Sequence, residues 1–415
     1  MHEVISGLLG HDRVKAARQH IERTDEVTLA RQAALSAIPA PTGAEAQRAV
    51  RVAELFREAG LRDVRIDEAG NVSAWFSGNG GKGKGEGVAP VVLSAHLDTV
   101  FGPDVDVSVA RRGRRLEGPG ISDNARGIAA LVAVAEAIVT ARLRTVRPIL
   151  FAATVGEEGS GDLRGVKHLL NGKRETLKDS LTVAANGQPT AFIALDGAGM
   201  ERIVHRALGS RRYHVTFRGP GGHSWAAFGV ANPANSVGRA TALLADLPAH
   251  HSPRSTCAVV RLGGGTGLNS IPQEAWVDLD LRSEDPRALD QLDTTVHGIL
   301  TRALAEENGR RTAGTPLLQL DVRRVGERPS GLTPRAHPLV QTAIAATRAL
   351  GRSHELACAS TDANVPIALG VPAIALGAGG HAGDAHLPTE WYENVDGPLG
   401  VVRALLVTAA MAEVR

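Results

Sequence analysis

The sequence has few cysteines and few aromatic residues, and both shortages exclude classes of protein. Two cysteines, Cys257 and Cys358, cannot build a disulfide framework, and they lack the paired spacing of a structural zinc site. We expect both to be small buried apolar residues. Four Trp, two Tyr and seven Phe are too few and too scattered for the stacking surface that binds single-stranded nucleic acid. The core is therefore expected to be aliphatic.

The sequence also lacks an excess of charge of either sign and a long apolar run. Its 46 basic and 44 acidic residues give a net charge of +2, which creates no field that attracts phosphates or anionic lipids. Neither nucleic acid nor a membrane is an expected partner. No apolar run reaches the roughly 18 residues of a membrane span, and the opening Met-His-Glu has no signal-peptide pattern. We expect a cytoplasmic protein.

What the sequence does contain is an alternation of apolar runs with helical periodicity. With 415 residues, two or three domains are expected at roughly 150 residues each. The segments concerned are a helix at 45–59, a strand at 90–95, a helix at 124–141, a strand at 148–155, a helix at 163–170 and a strand at 191–195. Continuous apolar strands separated by helices are typical of an α/β domain with a largely parallel sheet flanked by helices.

From about residue 210 the pattern changes to strands of alternating polarity, and beyond residue 326 the first pattern returns. The segments are strands at 213–217, 257–262 and 275–281, helices at 231–247 and 289–307, then a helix at 338–350 and a strand at 371–376. We predict a catalytic domain of residues 1–209 and 326–415, interrupted by an α+β lid or dimerisation domain at 210–325.

The glycine-rich segment 78–87 contains a formal G-x-G-x-x-G match at Gly78, Gly80 and Gly83. A dinucleotide site needs a strand before this motif and a helix after it, whereas here a strand is expected to follow. The segment is therefore predicted to be a flexible loop, and a dinucleotide-binding enzyme is a weak alternative.

Histidine and carboxylate side chains follow the predicted strands or precede the helix at 124–141. They are His96, Asp98, Asp123, Glu157, Glu158, Asp196 and His386. Ligands of open parallel sheets bind beyond the carboxyl ends of the strands, so these side chains are expected to converge. Imidazoles and carboxylates without thiolates are the ligands of a hydrolytic zinc centre. Two metals roughly 3.5 to 4 Å apart need one bridging carboxylate and about two further ligands each, which this set supplies.

Each of these residues also has a purely structural interpretation when it is considered alone. Asp123 stands where a helix N-cap is expected, and the other carboxylates are common in solvated turns after strands. His96 is also compatible with a hydrogen-bonded histidine in the core.

Six motifs in order carry a resemblance to a known family. They are Ser-Ala-His96-Leu-Asp98-Thr, Gly-Pro-Gly-Ile-Ser-Asp123-Asn-Ala-Arg-Gly, Gly-Glu157-Glu158-Gly-Ser-Gly, Leu-Asp196-Gly, Gly-Gly-His223-Ser and Asp-Ala-His386. Between about residues 90 and 395 the chain resembles the dizinc metallopeptidases that include peptidase T, carboxypeptidase G, aminoacylase and acetylornithine deacetylase. Within them it is most similar to peptidase T-like hydrolases. The resemblance implies a zinc exopeptidase-like fold.

The resemblance also implies roles for the individual residues. Asp123 would bridge two divalent metal ions, most simply zinc, with His96 and Asp196 completing one site and Glu158 and His386 the other. His386 is preferred to His381 as the ligand because the family pattern has an acidic residue shortly after this histidine, which here is Glu390.

Glu157 would be the general base, and the spacing of the residues agrees with the implied roles. Adjacent carboxylates at Glu157 and Glu158 can point one at a metal and the other at an activated water. Asp98 can accept the second N–H of His96 and fix its tautomer.

The inserted domain carries Gly-Gly-His223-Ser-Trp, Leu-Asn269-Ser-Ile-Pro and Asp-Leu-Arg282-Ser. By resemblance His223 polarises the scissile carbonyl, often from the partner subunit of a homodimer, while Asn269 and Arg282 bind substrate. The planar fork of Arg282 suits a carboxylate, with a structural salt bridge as the alternative. The segment Ser-Thr-Asp362-Ala-Asn364 either lines the substrate cleft or serves packing.

The function expected from the resemblance is that of a zinc-dependent metallopeptidase, an exopeptidase of the aminopeptidase or tripeptidase type acting on short peptides. An N-acyl-amino-acid deacylase on the same scaffold is the first alternative. A non-catalytic metal-binding protein is the second.

Overall fold

The computed structural model describes residues 1–78, 88–171, 188–248 and 250–415. Within these ranges the helices are α1 (His2–Gly10), α2 (Asp12–Arg23), α3 (Asp25–Ser36), α4 (Ala46–Glu58), α5 (Ala125–Thr140), α6 (Arg164–Asn171), α7 (Pro233–Ala245), α8 (Pro286–Arg310), α9 (Pro338–Ala349), α10 (Asn364–Ala368) and α11 (Gly397–Met411). A short 3-10 turn covers Gly159–Gly161. None of the helices in these ranges combines the length and the apolar character needed to cross a bilayer.

The strands of the described residues are β1 (Arg62–Ile66), β2 (Val72–Phe76), β3 (Val91–His96), β4 (Ala110–Arg112), β5 (Arg115–Glu117), β6 (Ile149–Thr154), β7 (Ala191–Leu195), β8 (Arg202–Ala207), β9 (Gly209–Arg218), β10 (Gly222–His223), β11 (His250–His251), β12 (Arg254–Gly264), β13 (Ser270–Ile271), β14 (Glu274–Ser283), β15 (Gln319–Arg328), β16 (Gly331–Leu332), β17 (Glu355–Ala359), β18 (Ala373–Leu376), β19 (His381–Gly383) and β20 (Trp391–Glu393). The predicted glycine-rich loop at 78–87 lies, apart from Gly78, outside the described residues.

The chain divides into two compact units. Residues 1–207 and 332–415 form the first, which we name the discontinuous unit, and residues 208–331 form the second, the continuous unit. The sequence predicts catalysis in one part and a lid or dimerisation role in the other. These two roles stay predictions.

The main sheet of the discontinuous unit has the order β1-β2-β6-β3-β7-β18-β8, and β17 pairs with β8. Its four middle strands β6, β3, β7 and β18 are parallel to one another, while β2 pairs antiparallel with β6 and β8 pairs antiparallel with β18. The middle strands are buried throughout because apolar residues face both sides of the sheet. The predicted largely parallel sheet flanked by helices is confirmed.

Helices cover both faces of this sheet. Alternate residues of β3 separate into two cores: Val91, Leu93 and Ala95 pack with the helices α1–α5, α9 and α11, whereas Val92 packs with α6 and α10. The sheet is therefore fixed in position from both sides, and its carboxyl edge forms a rigid support for the loops that follow β3, β6 and β7.

A second, smaller sheet in the discontinuous unit has the order β19-β20-β5-β4 and is antiparallel. Its strands are only three residues long. The pairing of β20 with β5 brings the segment around residue 390 beside the loop that leads into α5.

The continuous unit is built on the antiparallel sheet β11-β12-β14-β9-β15. Helices α7 and α8 pack on one face of it, around Val215, Val277 and Leu300. The alternate residues Asp278, Asp280 and Arg282 of β14 lie on the other face. Cys257 in β12 and Cys358 in β17 are half-buried rather than fully buried, and they form no disulfide.

Candidate metal centre

The candidate site lies at the carboxyl ends of the parallel strands of the discontinuous unit. His96 is the last residue of β3, the two glutamates Glu157 and Glu158 follow β6, and Asp196 follows β7. Since neighbouring parallel strands end at the same edge of a sheet, these side chains emerge together. Asp123, before α5, and His386, between β19 and β20, complete the group.

Two clusters of ligand atoms share Asp123. In the first, the Nε2 atom of His96 lies 3.0 Å from Oδ1 of Asp123 and 3.7 Å from Oδ1 of Asp196. In the second, Nε2 of His386 lies 3.2 Å from both Oδ2 of Asp123 and Oε1 of Glu158. Asp123 thus directs one carboxylate oxygen to each histidine, which is the arrangement of a bridging ligand.

Glu157 lies beside these clusters. Its carboxylate, that of Glu158 and the imidazole of His96 have ligand atoms within 4.8 Å of one another. Glu157 is only 5% exposed. The structure therefore brings together all six residues from the sequence that were expected to hold metal or act as the base.

The hydrogen bonds of His96 set its tautomer. Its Nδ1 lies 3.1 Å from the backbone carbonyl of Asp98, and a carbonyl only accepts, so Nδ1 carries the proton and Nε2 keeps its lone pair for a metal. We expected the carboxylate of Asp98 to accept this bond, but its nearer oxygen lies 3.6 Å away. The carboxylate is thus within ion-pair distance of the imidazole, while the backbone carbonyl is the nearer acceptor.

The carboxylate of Asp98 instead holds the turn that carries the two glutamates. Its Oδ1 accepts from the backbone N–H of Glu157 and its Oδ2 from that of Glu158, both at 2.9 Å. Burial alone would raise the pKa of Asp98, but His96 and the two backbone N–H groups outweigh it and lower the pKa to about 2. The side chain is an anchor for this turn.

The clusters shift the pKa of their own members. Burial lowers the pKa of His96, but contacts with Asp123, Asp196 and Asp98 raise it well above its ordinary value. The pKa of His386 is raised to about 10 by Asp123 and then by Glu158. Burial raises the pKa of Asp123, yet the two histidines lower it well below its usual range. Protons and divalent cations therefore compete for the same nitrogen atoms.

The N-cap interpretation of Asp123 is decided by its neighbour. Oδ1 of Asn124 accepts from the backbone N–H of Gly127 at 3.0 Å, and Asn124 is the N-cap of α5. Asp123 is therefore free of the capping role, and its side chain points between the histidines. The peptide bond between Asp123 and Asn124 is cis.

Sequence reasoning missed Glu45, which supports the turn after β6. Its Oε1 accepts from the backbone N–H groups of Gly43 and Gly156, both at 3.0 Å, and its carboxylate pairs with Arg164 at 2.7 Å. Thr42 donates its hydroxyl to Asp98 at 2.8 Å from the same segment. A Glu at the start of a predicted amphipathic helix looks like an ordinary first-turn residue, so no sequence pattern indicates this role.

Glu390 and Asp362 are two further buried carboxylates near the clusters. Burial raises the pKa of Glu390 to about 7 against the opposing effect of the backbone N–H groups it binds. Burial also raises the pKa of Asp362 to about 6, although a hydrogen bond from the hydroxyl of Thr154 opposes it. Asn364 is fully buried and accepts from the backbone N–H of Thr361 at 3.0 Å, which favours packing for this residue; a place in the substrate cleft stays a prediction for the segment. His381 lies in β19, opposite Glu393, and belongs to none of the ligand clusters of the described residues.

In the continuous unit, His223 and Asn269 lie next to each other. His223 is in β10, opposite Ser270 of β13, and the backbone carbonyl of Asn269 accepts from the N–H of Ser224 at 2.9 Å. Nδ1 of the exposed His223 accepts from the N–H of Trp225 at 3.1 Å. The neutral imidazole therefore presents Nε2–H, a donor suited to a carbonyl oxygen.

Arg282 lies in β14, on the five-stranded sheet, and makes the predicted salt bridge: its Nε donates to Asp280 at 2.9 Å. Its two Nη groups have no hydrogen-bond partner within the described ranges. Both interpretations from the sequence are thus compatible with its geometry, because an ion pair through Nε leaves the outer fork available for a carboxylate.

The model of Peptidase family M20/M25/M40 matches residues 92–411. The chain belongs to this family, so the predicted family resemblance is confirmed, and with it an enzyme of the metallopeptidase and amidohydrolase class; zinc as the metal stays a prediction.

Two curated relatives differ in what they act on. The cytosol non-specific dipeptidase of Escherichia coli (strain K12) is 27% identical over 299 residues, 66% of this chain and 57% of that protein. The succinyl-diaminopimelate desuccinylase of Leptothrix cholodnii is 29% identical over 286 residues, 64% of this chain and 70% of that protein. The chain thus spans less than two thirds of the length of the dipeptidase that it matches.

Solved structures share the fold. The aminopeptidase PepT from Bacillus cereus superposes with a TM-score of 0.70 at 20% identity, covering 93% of this chain and 98% of that one. A dinuclear metal binding peptidase of the M20 family from Bacillus subtilis has a TM-score of 0.64 at 14% identity, covering 96% and 98%. At these identities the likeness concerns the fold.

Proposed function

We propose that the protein hydrolyses an amide bond of short peptides with the help of two divalent metal ions. The observation that carries this proposal is the convergence of six side chains at the carboxyl edge of the sheet, four carboxylates and two imidazoles. They are His96, Asp123, Glu157, Glu158, Asp196 and His386. The dipeptidase among the relatives supports a peptide as substrate.

The residues present fit two metal ions. Oδ1 of Asp123 is buried and has no hydrogen-bond partner among the described residues, although Nε2 of His96 lies 3.0 Å away. A buried carboxylate oxygen that faces an imidazole nitrogen is costly unless a proton or a metal ion lies between them, and a divalent cation can bind both atoms. We assign His96, Asp123 and Asp196 to one ion and Asp123, Glu158 and His386 to the other. The nitrogen and oxygen donors suit zinc.

The chemistry divides between the ions and the chain. Divalent cations in such a site acidify a water molecule and polarise the scissile carbonyl. Glu157, held by the Asp98 anchor, takes the proton of the attacking water and delivers it to the leaving nitrogen. No covalent bond between enzyme and substrate is needed.

We assign substrate binding to His223, Asn269 and Arg282 of the continuous unit. The Nε2–H of His223 suits the carbonyl oxygen of the scissile bond, and the outer fork of Arg282 suits a substrate carboxylate. A homodimer and a cytoplasmic location also stay predictions; the dimer is implied by the resemblance alone.

A deacylase is the second candidate function. The desuccinylase among the relatives acts on an N-acyl substrate and is as similar to this chain as the dipeptidase is. The catalytic groups serve both reactions, because each one splits an amide with water.

One experiment tests the proposal and separates the two candidates. The metal-loaded wild type and Glu157→Gln are assayed on di- and tripeptides and on N-acetyl and N-succinyl amino acids, before and after chelation and zinc return. We expect peptide turnover that chelator abolishes and zinc restores, and a loss of about 100- to 10,000-fold in E157Q. E157Q should bind as much metal as the wild type, which is the control for an intact site. Turnover of acyl substrates alone would establish the deacylase, and turnover that is indifferent to chelator would refute the metal mechanism.

A further inference from the structure

The side chain of Glu390 is fully buried, and both of its carboxylate oxygens accept hydrogen bonds from the backbone of residues 120–123, which we name the Asp123 loop. Its Oε1 accepts from the backbone N–H of Ser122 at 2.7 Å and of Asp123 at 2.8 Å, and its Oε2 accepts from that of Gly120 at 3.0 Å. Charge-assisted bonds to backbone N–H groups are among the stronger hydrogen bonds in proteins. Glu390 therefore fixes the backbone of the residue that offers its carboxylate to both histidines.

The backbone of Glu390 belongs to the opposite side of the metal centre. Residue 390 directly precedes β20, and its N–H donates to the carbonyl of Leu387 at 3.0 Å, closing the turn that directly follows His386. His386 lies in the preceding turn, where the N–H of Leu387 donates to the carbonyl of Asp384 at 2.9 Å, and we name residues 384–390 the His386 turn. Its own carbonyl accepts from the N–H of Gly118 at 2.8 Å, which continues the β5–β20 pairing. One residue thus belongs to the His386 turn through its backbone and to the Asp123 loop through its side chain.

The two segments need such a connection because neither is held in a regular element. His386 has a φ of 68°, in the left-handed region that a non-glycine residue adopts only when its surroundings impose it. Asp123 lies outside α5, beyond its cap Asn124. Oδ2 of Asp123 lies 3.2 Å from Nε2 of His386, and this distance depends on how the two irregular segments are positioned relative to each other.

We propose that Glu390 is a positioning residue for the metal centre. Its carboxylate holds the Asp123 loop in a fixed position relative to the His386 turn. The carboxylate of Asp123 and the imidazole of His386 can then bind one ion without rearrangement. This inference rests on the proposed function only in requiring that the centre binds metal. It assigns Glu390 no contact with metal or substrate.

The test is a cobalt(II) titration of the metal-stripped full-length chain, followed by calorimetry and by visible absorption. In Glu390→Gln an amide NH₂ must face at least one of the three N–H donors. We expect cobalt binding to weaken by about 10- to 100-fold, with an altered absorption band at saturation. Glu307→Gln is the matched control, because Glu307 is a nearly buried glutamate that accepts from the backbone N–H of Asn232 at 3.0 Å in the continuous unit. It should bind cobalt as the wild type does.

The outcomes separate this inference from the proposed function. If folded E390Q and the wild type show equal cobalt affinity and equal spectra, the positioning role is refuted, but the proposed metal centre is not. A wild type that binds no cobalt would overturn both. If circular dichroism shows that E390Q is unfolded, Glu390→Asp replaces it: the charge stays, but the shorter side chain cannot reach all three N–H groups. The same weakening is expected, and unchanged binding would again refute the role.

Discussion

At the scale of single residues, the acidic side chains around the site fall into two groups that differ in what their oxygens bind. The carboxylate oxygens of Asp98, Glu45 and Glu390 accept hydrogen bonds from backbone N–H groups of the loops. Asp123 and Glu158 direct theirs at an imidazole. The first group holds loops in place and the second is left to bind cations. This division explains why the same residue type serves as anchor and as ligand within a few ångströms.

Asp362 belongs to neither group. It is 3% exposed, its Oδ2 accepts the hydroxyl of Thr154 at 2.5 Å, and its Oδ1 is buried with no partner among the described residues. Its raised pKa of about 6 means that the folded chain keeps a proton there that the unfolded chain releases near pH 4. The stability contributed by this proton is complete below pH 4 and is lost as the pH rises to 6.

We therefore predict that Asp362→Asn makes the stability of the metal-free protein less dependent on pH. A shift from 3.8 to about 6 corresponds to about 3 kcal/mol, so the fall in unfolding free energy between pH 4 and pH 7 should shrink by up to that amount. Part of the fall remains, because Glu390 contributes a similar term. Denaturant unfolding in chelator at pH 4, 5, 6 and 7 measures it.

The control for this prediction is Asp106→Asn. The carboxylate of Asp106 is exposed, and hydrogen bonds from Ser108 lower its pKa below 3.8, so it does not titrate in the window. Its variant should show the wild-type slope. An unchanged slope in D362N would mean that Asp362 is ionised throughout this range.

At the scale of elements, the parallel strands and the helices α4, α5, α7, α8 and α9 were predicted, whereas the helix α11 and the small sheet were not. The strands β3, β6 and β7 lie within a residue or two of their expected positions, because a strand buried on both faces must be apolar throughout. The strands β5 and β20 have three residues each, too few for a period to show. The sequence predicted the set of candidate metal ligands but not how His386 reaches Asp123, since that depends on this pairing.

The start of α5 is the element on which Asp123 depends most directly. A Cβ added to Gly127 would overlap the side-chain oxygen of Asn124 and lie 2.7 Å from the carbonyl of Leu195, at the end of β7. The first turn of this helix therefore needs a glycine to approach the sheet. We predict that Gly127→Ala lowers the unfolding free energy by about 1 to 3 kcal/mol and weakens metal binding, because relief of the overlap displaces the cap next to Asp123.

Gly238→Ala in α7 is the matched control for that variant. Gly238 is also within a helix, but a Cβ there would meet nothing within 4 Å. Alanine should stabilise the protein by about 0.5 to 1 kcal/mol through its higher helix propensity and leave metal binding unchanged. Thermal unfolding and a cobalt titration of both variants measure the contrast. Equal metal affinity in G127A and G238A would show that the tight contact has no bearing on the site.

At the scale of the whole molecule, a net charge of +2 conceals an uneven distribution. The site of the discontinuous unit gathers the carboxylates of Asp98, Asp123, Glu157, Glu158 and Asp196, and in the absence of metal the protons of His96 and His386 offset part of their charge. Cations that bind the folded chain but not the unfolded one must then stabilise this unit. The same arrangement makes metal binding release protons as each imidazole exchanges its proton for an ion.

We accordingly predict that zinc stabilises the metal-stripped protein in a localised way. At a zinc concentration 100 times the dissociation constant, each site adds about 2.7 kcal/mol to the unfolding free energy, which raises the midpoint of thermal unfolding. Hydrogen exchange should slow in segments 96–98, 118–123, 156–158 and 384–390, because their backbones carry the ligands, and stay unchanged in β12 and β14 of the continuous unit. Potassium chloride at equal ionic strength is the control, since screening alone relieves some repulsion between carboxylates. Protection by the salt equal to that by zinc would mean that the clusters respond to ionic strength and hold no specific ion.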